Sequence, residues 1–301
     1  AMDLTIYGDA DLPGQVQGLI DDLEGQLSVT DPDSQIYAVN ARGSGTLTGR
    51  ADTLMGQALD LCRRTGGALD LSIYPVVRAW GFTTGDYQVP SDDDLATLTA
   101  LVDYTRIDYD PASGAVSLPE GMEIDLGSVA KGYAGREAAQ LLRQAGVTSA
   151  LLNLGGNIQT VGSRPDGDPW QIGVKDPSTG QPMVVLSIRD QAVVTSGGYE
   201  RYFQQDGRTY WHIMDPATGR PAESGLRSVT IVGDDGLVCD GLSTALFVMG
   251  LERAAQFWAG SDDFEAIFVT DDGSVYLTQG LTDRFALTQD HADTPVQVIQ
   301  R

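Results

Sequence analysis

Apolar residues keep a helical period through most of the first half of the chain and give way to strand-type runs in the second. Residues 12–27 carry Val16, Leu19, Ile20, Leu23 and Leu27 at helical spacing. Residues 52–64 repeat the pattern with Leu54, Met55, Leu59, Leu61 and Cys62, and Gly66-Gly67 follows where a helix stop belongs. Ser91 to Asp94 carries a capping signal ahead of Leu95, Leu98 and Leu101. Asp110 to Gly114 reads as a turn between two short strands, and an alanine-rich helix is predicted over 128–145, ending at Gly146. Strands are then predicted at 150–154, 170–174, 183–188, 192–195, 210–214 and 228–232. A helical segment at about 241–258 interrupts, and strands 265–270 and 275–277 close around Asp271-Asp272-Gly273-Ser274. The regular strand–helix alternation of a parallel doubly wound sheet is missing, so the expected class is α+β. With no repeat, low-complexity tract or linker in view, the expectation is one domain over 1–301, helix-rich first and strand-rich second.

Composition narrows the function classes. The formal net charge is −23, which argues against nucleic acid or an anionic membrane surface as the main partner, because both need a basic footprint. Hydrophobic residues make up 42% of the 301, enough for a core and too many for a disordered acidic chain. No apolar run approaches the roughly 20 residues of a membrane span. Cys62 and Cys239 stand far apart and read as two free buried thiols, with one buried pair as the alternative. The chain opens abruptly at Ala1-Met2-Asp3, which reads as a trimmed start. Lys131 and Lys175 are the only lysines, so a lysine inside a motif carries weight.

Several segments could carry chemistry. In Glu123-Ile124-Asp125-Leu126-Gly127-Ser128-Val129-Ala130-Lys131, a strand is expected to end at Asp125 and a helix to start near Ser128. A helix start suits a phosphate, and Lys131 sits one turn in; the alternative is a capped helix start with an exposed lysine. In Cys239-Asp240-Gly241-Leu242-Ser243-Thr244, Asp240 and Thr244 share a helix face. Carboxylate plus hydroxyl is the hard oxygen ligation Mg²⁺ prefers; on general grounds, however, Asp240 reads as an N-cap, since Asp is among the preferred caps. His212, in Tyr210-Trp211-His212-Ile213-Met214-Asp215-Pro216, is one of two histidines, the other being His291. It is either an ordinary strand histidine or a proton-transfer group working near neutral pH. The turns Asn153-Leu154-Gly155-Gly156-Asn157 and Thr195-Ser196-Gly197-Gly198-Tyr199 follow strands and could let backbone approach a ligand. In the segment from Gly66 to Phe82, Trp80 and Phe82 read simply as core.

Taken in order, GGALDLSIYPVVRAWGF, EIDLGSVAKGYA, LLNLGGNIQTVG, VVTSGGYERYF, HIMDPATGRP and CDGLSTALFVMG resemble one family, the ApbE-type FAD:protein FMN transferases. The resemblance implies an α+β, T-fold-related architecture of two lobes with FAD in the cleft between them. It implies Mg²⁺-dependent cleavage of FAD, release of AMP, and attachment of FMN to a Thr or Ser hydroxyl of an acceptor protein. By motif it assigns Asp240 and Thr244 to the metal, with Ser243 and a main-chain oxygen near Ser128 completing the set. Asp125 and Lys131 would contact FAD, Ala68, Leu69 and Asp70 would line the flavin site, and Met214 would pack on the dinucleotide. His212 would be the base for the acceptor hydroxyl. Acceptors implied are redox-pump subunits or extracytoplasmic flavoproteins, and the implied location is extracytoplasmic and lipid-anchored, with signal and anchor outside this chain.

This sequence also departs from the family pattern. A Met-Gly-Thr or Met-Asp-Thr segment of the flavin pocket is expected to be missing near the start. Thr30 stands where an aromatic often does, and Cys239 precedes the metal aspartate. Three alternatives remain open on sequence alone: a Mg²⁺-dependent FAD pyrophosphatase giving FMN and AMP, a non-catalytic FAD-binding protein, and an acidic interaction module.

Overall fold

The computed structural model describes residues 2–301; Ala1, at the abrupt start, lies outside them. The chain divides into two compact units, and it enters and leaves them repeatedly. Unit one comprises 2–19, 131–199 and 223–301, and unit two comprises 20–130 and 200–222. This interleaving leaves no linker for the sequence to show. Elements of both kinds are present throughout, as an α+β chain requires.

Unit one is built on an eight-stranded sheet. Its spatial order is Met2–Ile6, Ser149–Leu154, Asn157–Gly162, Ala192–Gly197, Leu226–Gly233, Phe264–Thr270, Val275–Thr278 and Val296–Ile299. Neighbours run antiparallel except the last pair, which is parallel. A three-stranded sheet of Trp170–Lys175, Pro182–Ile188 and Phe285–Leu287 supplies further apolar residues. Trp170–Lys175 alternates buried and exposed positions, so Trp170, Ile172 and Val174 all point one way. They join Val193, Val232, Ile267, Val269 and Leu277 of the large sheet in one core, where each fully buried aliphatic side chain stabilises by about 1.5–3 kcal/mol. The helices Gly236–Met249 and Leu251–Ala259 pack on strands of the large sheet.

Unit two holds the helices Gln35–Arg42, Gly49–Arg64, Tyr74–Ala79 and Asp92–Thr99. It also holds the small sheet of Ser44–Thr46, Ala115–Ser117 and Asp108–Asp110. Two short hairpins complete it, Tyr202–Gln205 with Arg208–Trp211 and Met214–Asp215 with Arg220–Pro221. Trp80 and Phe82 are core as expected, packed with Val76, Leu95 and Met214. The helix Gly49–Arg64 stops where the glycines announced it. Gly66 and Gly67 adopt φ of 61° and 82°, and the Gly67 N–H donates to the Cys62 carbonyl at 3.0 Å.

Several elements differ from expectation. The strand foreseen at 210–214 is two pieces with His212 and Ile213 in the gap. The helix foreseen at about 241–258 begins earlier, at Gly236, and breaks at Gly250, whose φ is 76°. No strand ends at Asp125; residues 118–126 are irregular. The helix Asp92–Thr99 ends before Leu101. Both cysteines are free and buried.

Candidate functional site

The predicted site residues fall into two groups, one in each unit. In unit one, Asp235 accepts from the N–H groups of Leu237 and Val238, so it caps the helix Gly236–Met249. Asp240 therefore lies inside that helix and is not its N-cap, which settles one of the alternatives left by the sequence. Its carboxylate is buried and accepts the Gly132 N–H at 2.7 Å. Burial pushes the Asp240 carboxyl up from its ordinary value, opposed by the charge of Lys131, the Gly132 N–H and the Asn157 amide.

Beside Asp240 lies a set of hydroxyls. Ser243 donates to the Asp240 main-chain carbonyl at 2.8 Å. That uses its only proton, so the 2.7 Å contact with Ser196 has Ser196 Oγ donating to Ser243 Oγ. Thr244 Oγ1 is 3.3 Å from Ser196 Oγ. Ser243 is fully buried, with its hydroxyl engaged on both sides, whereas Thr244 is half-buried. Ser196 escaped sequence reading as a site residue. The only signal was its place in the Thr195-Ser196-Gly197-Gly198 turn, and the neighbour that matters is 47 residues away.

Gly132 makes this arrangement possible. A Cβ there would sit 2.1 Å from the Gly236 carbonyl oxygen and 2.6 Å from the Asp240 Cβ. A Cβ on Gly236 would in turn meet the Gly132 carbonyl oxygen at 2.6 Å. The two helices therefore touch backbone to backbone, which is what lets a main-chain N–H reach the carboxylate. Lys131 is exposed on the same helix, Gly127–Gln144.

The group in unit two is held by main-chain bonds. Asp125 Oδ1 accepts the Gly127 N–H at 2.8 Å and so caps the start of the helix Gly127–Gln144. The capped-start alternative is thus realised for Asp125. Burial raises its carboxyl, opposed by the Gly127 N–H and the charge of Arg201. Ser128 is half-buried in the first turn. The Asp125 N–H donates to the Leu71 carbonyl at 2.9 Å, which ties this loop to the Ala68–Leu69–Asp70 segment. Asn40, which sequence reading missed, clamps Ile124 with two bonds of 2.8 Å, donating to its carbonyl and accepting its N–H.

Asp70 is turned inward. Its carboxylate accepts the Ser72 N–H at 2.9 Å, the Ser72 hydroxyl at 2.6 Å and the Tyr104 N–H at 3.0 Å. Burial raises its carboxyl and these bonds oppose the rise. Leu69 and Met214 are buried, and Ala68 is half-buried. His212 is half-buried, and its ring lies 6.3 Å from that of Phe82, edge to face. The other histidine, His291, is in unit one, 3.8 Å from Asp176.

A family model described as the ApbE family matches residues 1–268. An FAD:protein FMN transferase of Klebsiella pneumoniae (strain 342) is 35% identical over 290 residues, 94% of this chain and 90% of that protein. The crystal structure of the ApbE protein of Thermotoga maritima aligns with a TM-score of 0.86 at 29% identity, covering 92% of each chain. The flavin transferase ApbE of Vibrio cholerae, solved with and without a histidine-to-glycine replacement, aligns with TM-scores of 0.81 and 0.82. Those alignments cover 94% of this chain and 95% of the Vibrio chain, at 28–29% identity.

Proposed function

Because the chain belongs to the ApbE family, we propose that it transfers FMN from FAD to a Thr or Ser hydroxyl of an acceptor protein, releasing AMP. The structural observation that carries this reading is the Asp240 cluster: a buried carboxylate fixed by a main-chain N–H, beside Thr244, Ser243 and Ser196.

Mg²⁺ fits this donor set, which is oxygen throughout. Among the described residues no three His, Cys, Asp or Glu side chains gather as a metal cluster. A single carboxylate suits an ion that keeps waters and takes its remaining ligands from substrate phosphates. Asp240 and Thr244 would hold it, with the Ser128 carbonyl contributing, while Ser243 and Ser196 brace the helix turn. Bound there, Mg²⁺ would neutralise the diphosphate and stabilise the departing AMP phosphate.

The other residues have separate tasks. In a chain of net charge −23, Lys131 supplies a local cation for a phosphate. Asp125 contacts FAD, and the Ala68–Leu69–Asp70 segment lines the flavin site, where Asp70 acts by holding the segment in shape. Met214 is placed on the dinucleotide by the resemblance; its burial with Val76, Trp80 and Phe82 fits a packing role. His212 takes the proton of the acceptor hydroxyl. That oxygen forms a bond to the FMN phosphorus as the bond from phosphorus to the AMP oxygen breaks.

We further propose, from the resemblance alone, that the protein works outside the cytoplasm as a lipid-anchored enzyme on redox-pump subunits or extracytoplasmic flavoproteins. Among the described residues no helix is long and apolar enough to cross a membrane. Intact-mass measurement of an acceptor domain incubated with the protein, FAD and Mg²⁺ tests the function. The acceptor should gain the mass of FMN less water at a Thr or Ser, and an unmodified acceptor contradicts the reading.

A further inference from the structure

The base assigned to His212 needs a defined tautomer and a fixed ring, and the structure contains a device that supplies both. Tyr202 pairs with Trp211 at the end of their hairpin, and one step further Arg201 faces His212. The Arg201 carbonyl accepts the His212 main-chain N–H at 3.1 Å. The same carbonyl lies 3.2 Å from His212 Nδ1. A carbonyl only accepts, so Nδ1 carries the proton and Nε2 keeps its lone pair. That is the form in which a neutral imidazole acts as a base through Nε2.

The side chain of Arg201 closes a loop around the ring. Its guanidinium donates to the Phe82 carbonyl. The Phe82 ring stands edge to face with the imidazole, centroids 6.3 Å apart. Phe82 is itself buried among Val76, Trp80, Leu95 and Met214, so the anchor is rigid. Guanidinium to Phe82 backbone, Phe82 ring to imidazole and imidazole to Arg201 carbonyl form a closed circuit of three residues. A mobile cation on an exposed hairpin would leave the carbonyl free to swing; the anchored guanidinium does not. The charge of Arg201 also reaches Asp125, the residue assigned to FAD.

We infer that Arg201 is the positioning residue of His212, its carbonyl fixing the imidazole as an Nε2 base and its anchored guanidinium holding that carbonyl in register. The inference rests on the assignment of His212 as the base.

The test uses the full chain with Arg201→Ala and Arg201→Lys, compared by ¹⁵N NMR of the histidine rings and by steady-state transfer of FMN to an acceptor domain. The His212 signals are identified by their loss in His212→Asn. The unsubstituted protein should show a single tautomer protonated at Nδ1. Arg201→Ala should lose that single tautomer and lower kcat by about 10- to 100-fold, the range expected when a reacting group is misplaced by an ångström or so, with KM for FAD little changed. Arg201→Lys, which can still donate to the Phe82 carbonyl, should recover part of the rate and of the tautomer, and it keeps the test open if the alanine variant unfolds. Wild-type tautomer and kcat in Arg201→Ala overturn the inference. Equal losses in the lysine and alanine variants also overturn it. If instead His212→Ala transfers FMN at the normal rate, the base assignment itself falls; if only Arg201→Ala is silent, that assignment stands and the positioning role alone is lost.

Discussion

The main-chain N–H of Gly132 donates to the carboxylate of Asp240 across 2.7 Å and 108 residues of sequence. The bond ties the Asp240 carboxylate to the backbone of the helix Gly127–Gln144, and the Asn157 amide is a further partner of the same carboxylate. The contact depends on a residue without a side chain, and it brings to one place a carboxylate that sequence alone puts only in a helix.

Gly132→Ala should be costly. Its Cβ would fall 2.1 Å from a carbonyl oxygen and 2.6 Å from the Asp240 Cβ, and neither is a flexible tip. Overpacking of this kind costs about 1–3 kcal/mol, and the displaced Asp240 should also lose Mg²⁺. Urea unfolding and calorimetric Mg²⁺ titration check both. A variant as stable as the parent, with unchanged metal affinity, would mean the helices part without consequence.

Asp240→Ala should abolish AMP release while preserving the folded state, because a buried acid that burial already disfavours as an anion is removed together with its charge. Circular dichroism and chromatography of the products read the two effects. AMP release that survives at saturating Mg²⁺ contradicts the metal assignment.

Asn40→Ala should destabilise by about 2–3 kcal/mol, since it strips the partners from a backbone N–H and carbonyl at a fully buried position, at roughly 1–3 kcal/mol per orphaned group. It should also weaken FAD binding, because Ile124 precedes Asp125. Unchanged stability would show that water replaces the amide.

Asp190 provides a pH probe. Burial pushes its carboxyl up, but the Gly162 N–H and the Arg143 guanidinium outweigh this and hold it below the ordinary value. A depressed folded-state value stabilises above the unfolded-state value and is lost as pH falls through the folded one. Asp190→Asn should therefore reduce stability at neutral pH and converge with the parent in acid. Asn tolerates the φ of 52° found there, so the substitution isolates the charge. Parallel stability curves down to low pH would contradict the pairing.

Cys62 and Cys239 should resist alkylation in the folded protein. Burial pushes the Cys62 thiol up to about 12 and raises Cys239 as well, and the thiolate is the reactive form. Labelling with a thiol reagent should follow global unfolding. Rapid modification of the native protein would show that these sites open locally.

Features fixed by neighbours in sequence were legible. The stop at Gly66-Gly67, the Ser91 cap and the helix ending before Gly146 depend on local chemistry, and the structure has all three. Features that need distant partners were not. The strand Asn157–Gly162 forms by pairing with Ser149–Leu154 and Ala192–Gly197, and its mixed polar sequence gives no alternation. The break at His212 reflects the turn of its N–H to Arg201, a pairing no local pattern announces. Motif order pointed to Asp240, Thr244 and His212. The groups that touch them, Gly132, Ser196 and Arg201, and Asn40, which clamps the backbone beside Asp125, make contacts that no local pattern announces and look ordinary in the sequence.

FMN transfer is tested most directly by AMP release from FAD, followed by chromatography with Mg²⁺ or EDTA and with or without an acceptor domain. AMP should form only when Mg²⁺ and the acceptor are both present, in amounts equal to the FMN attached. AMP formed with Mg²⁺ alone would contradict it in favour of hydrolysis, and FAD that stays intact under every condition would contradict catalysis altogether.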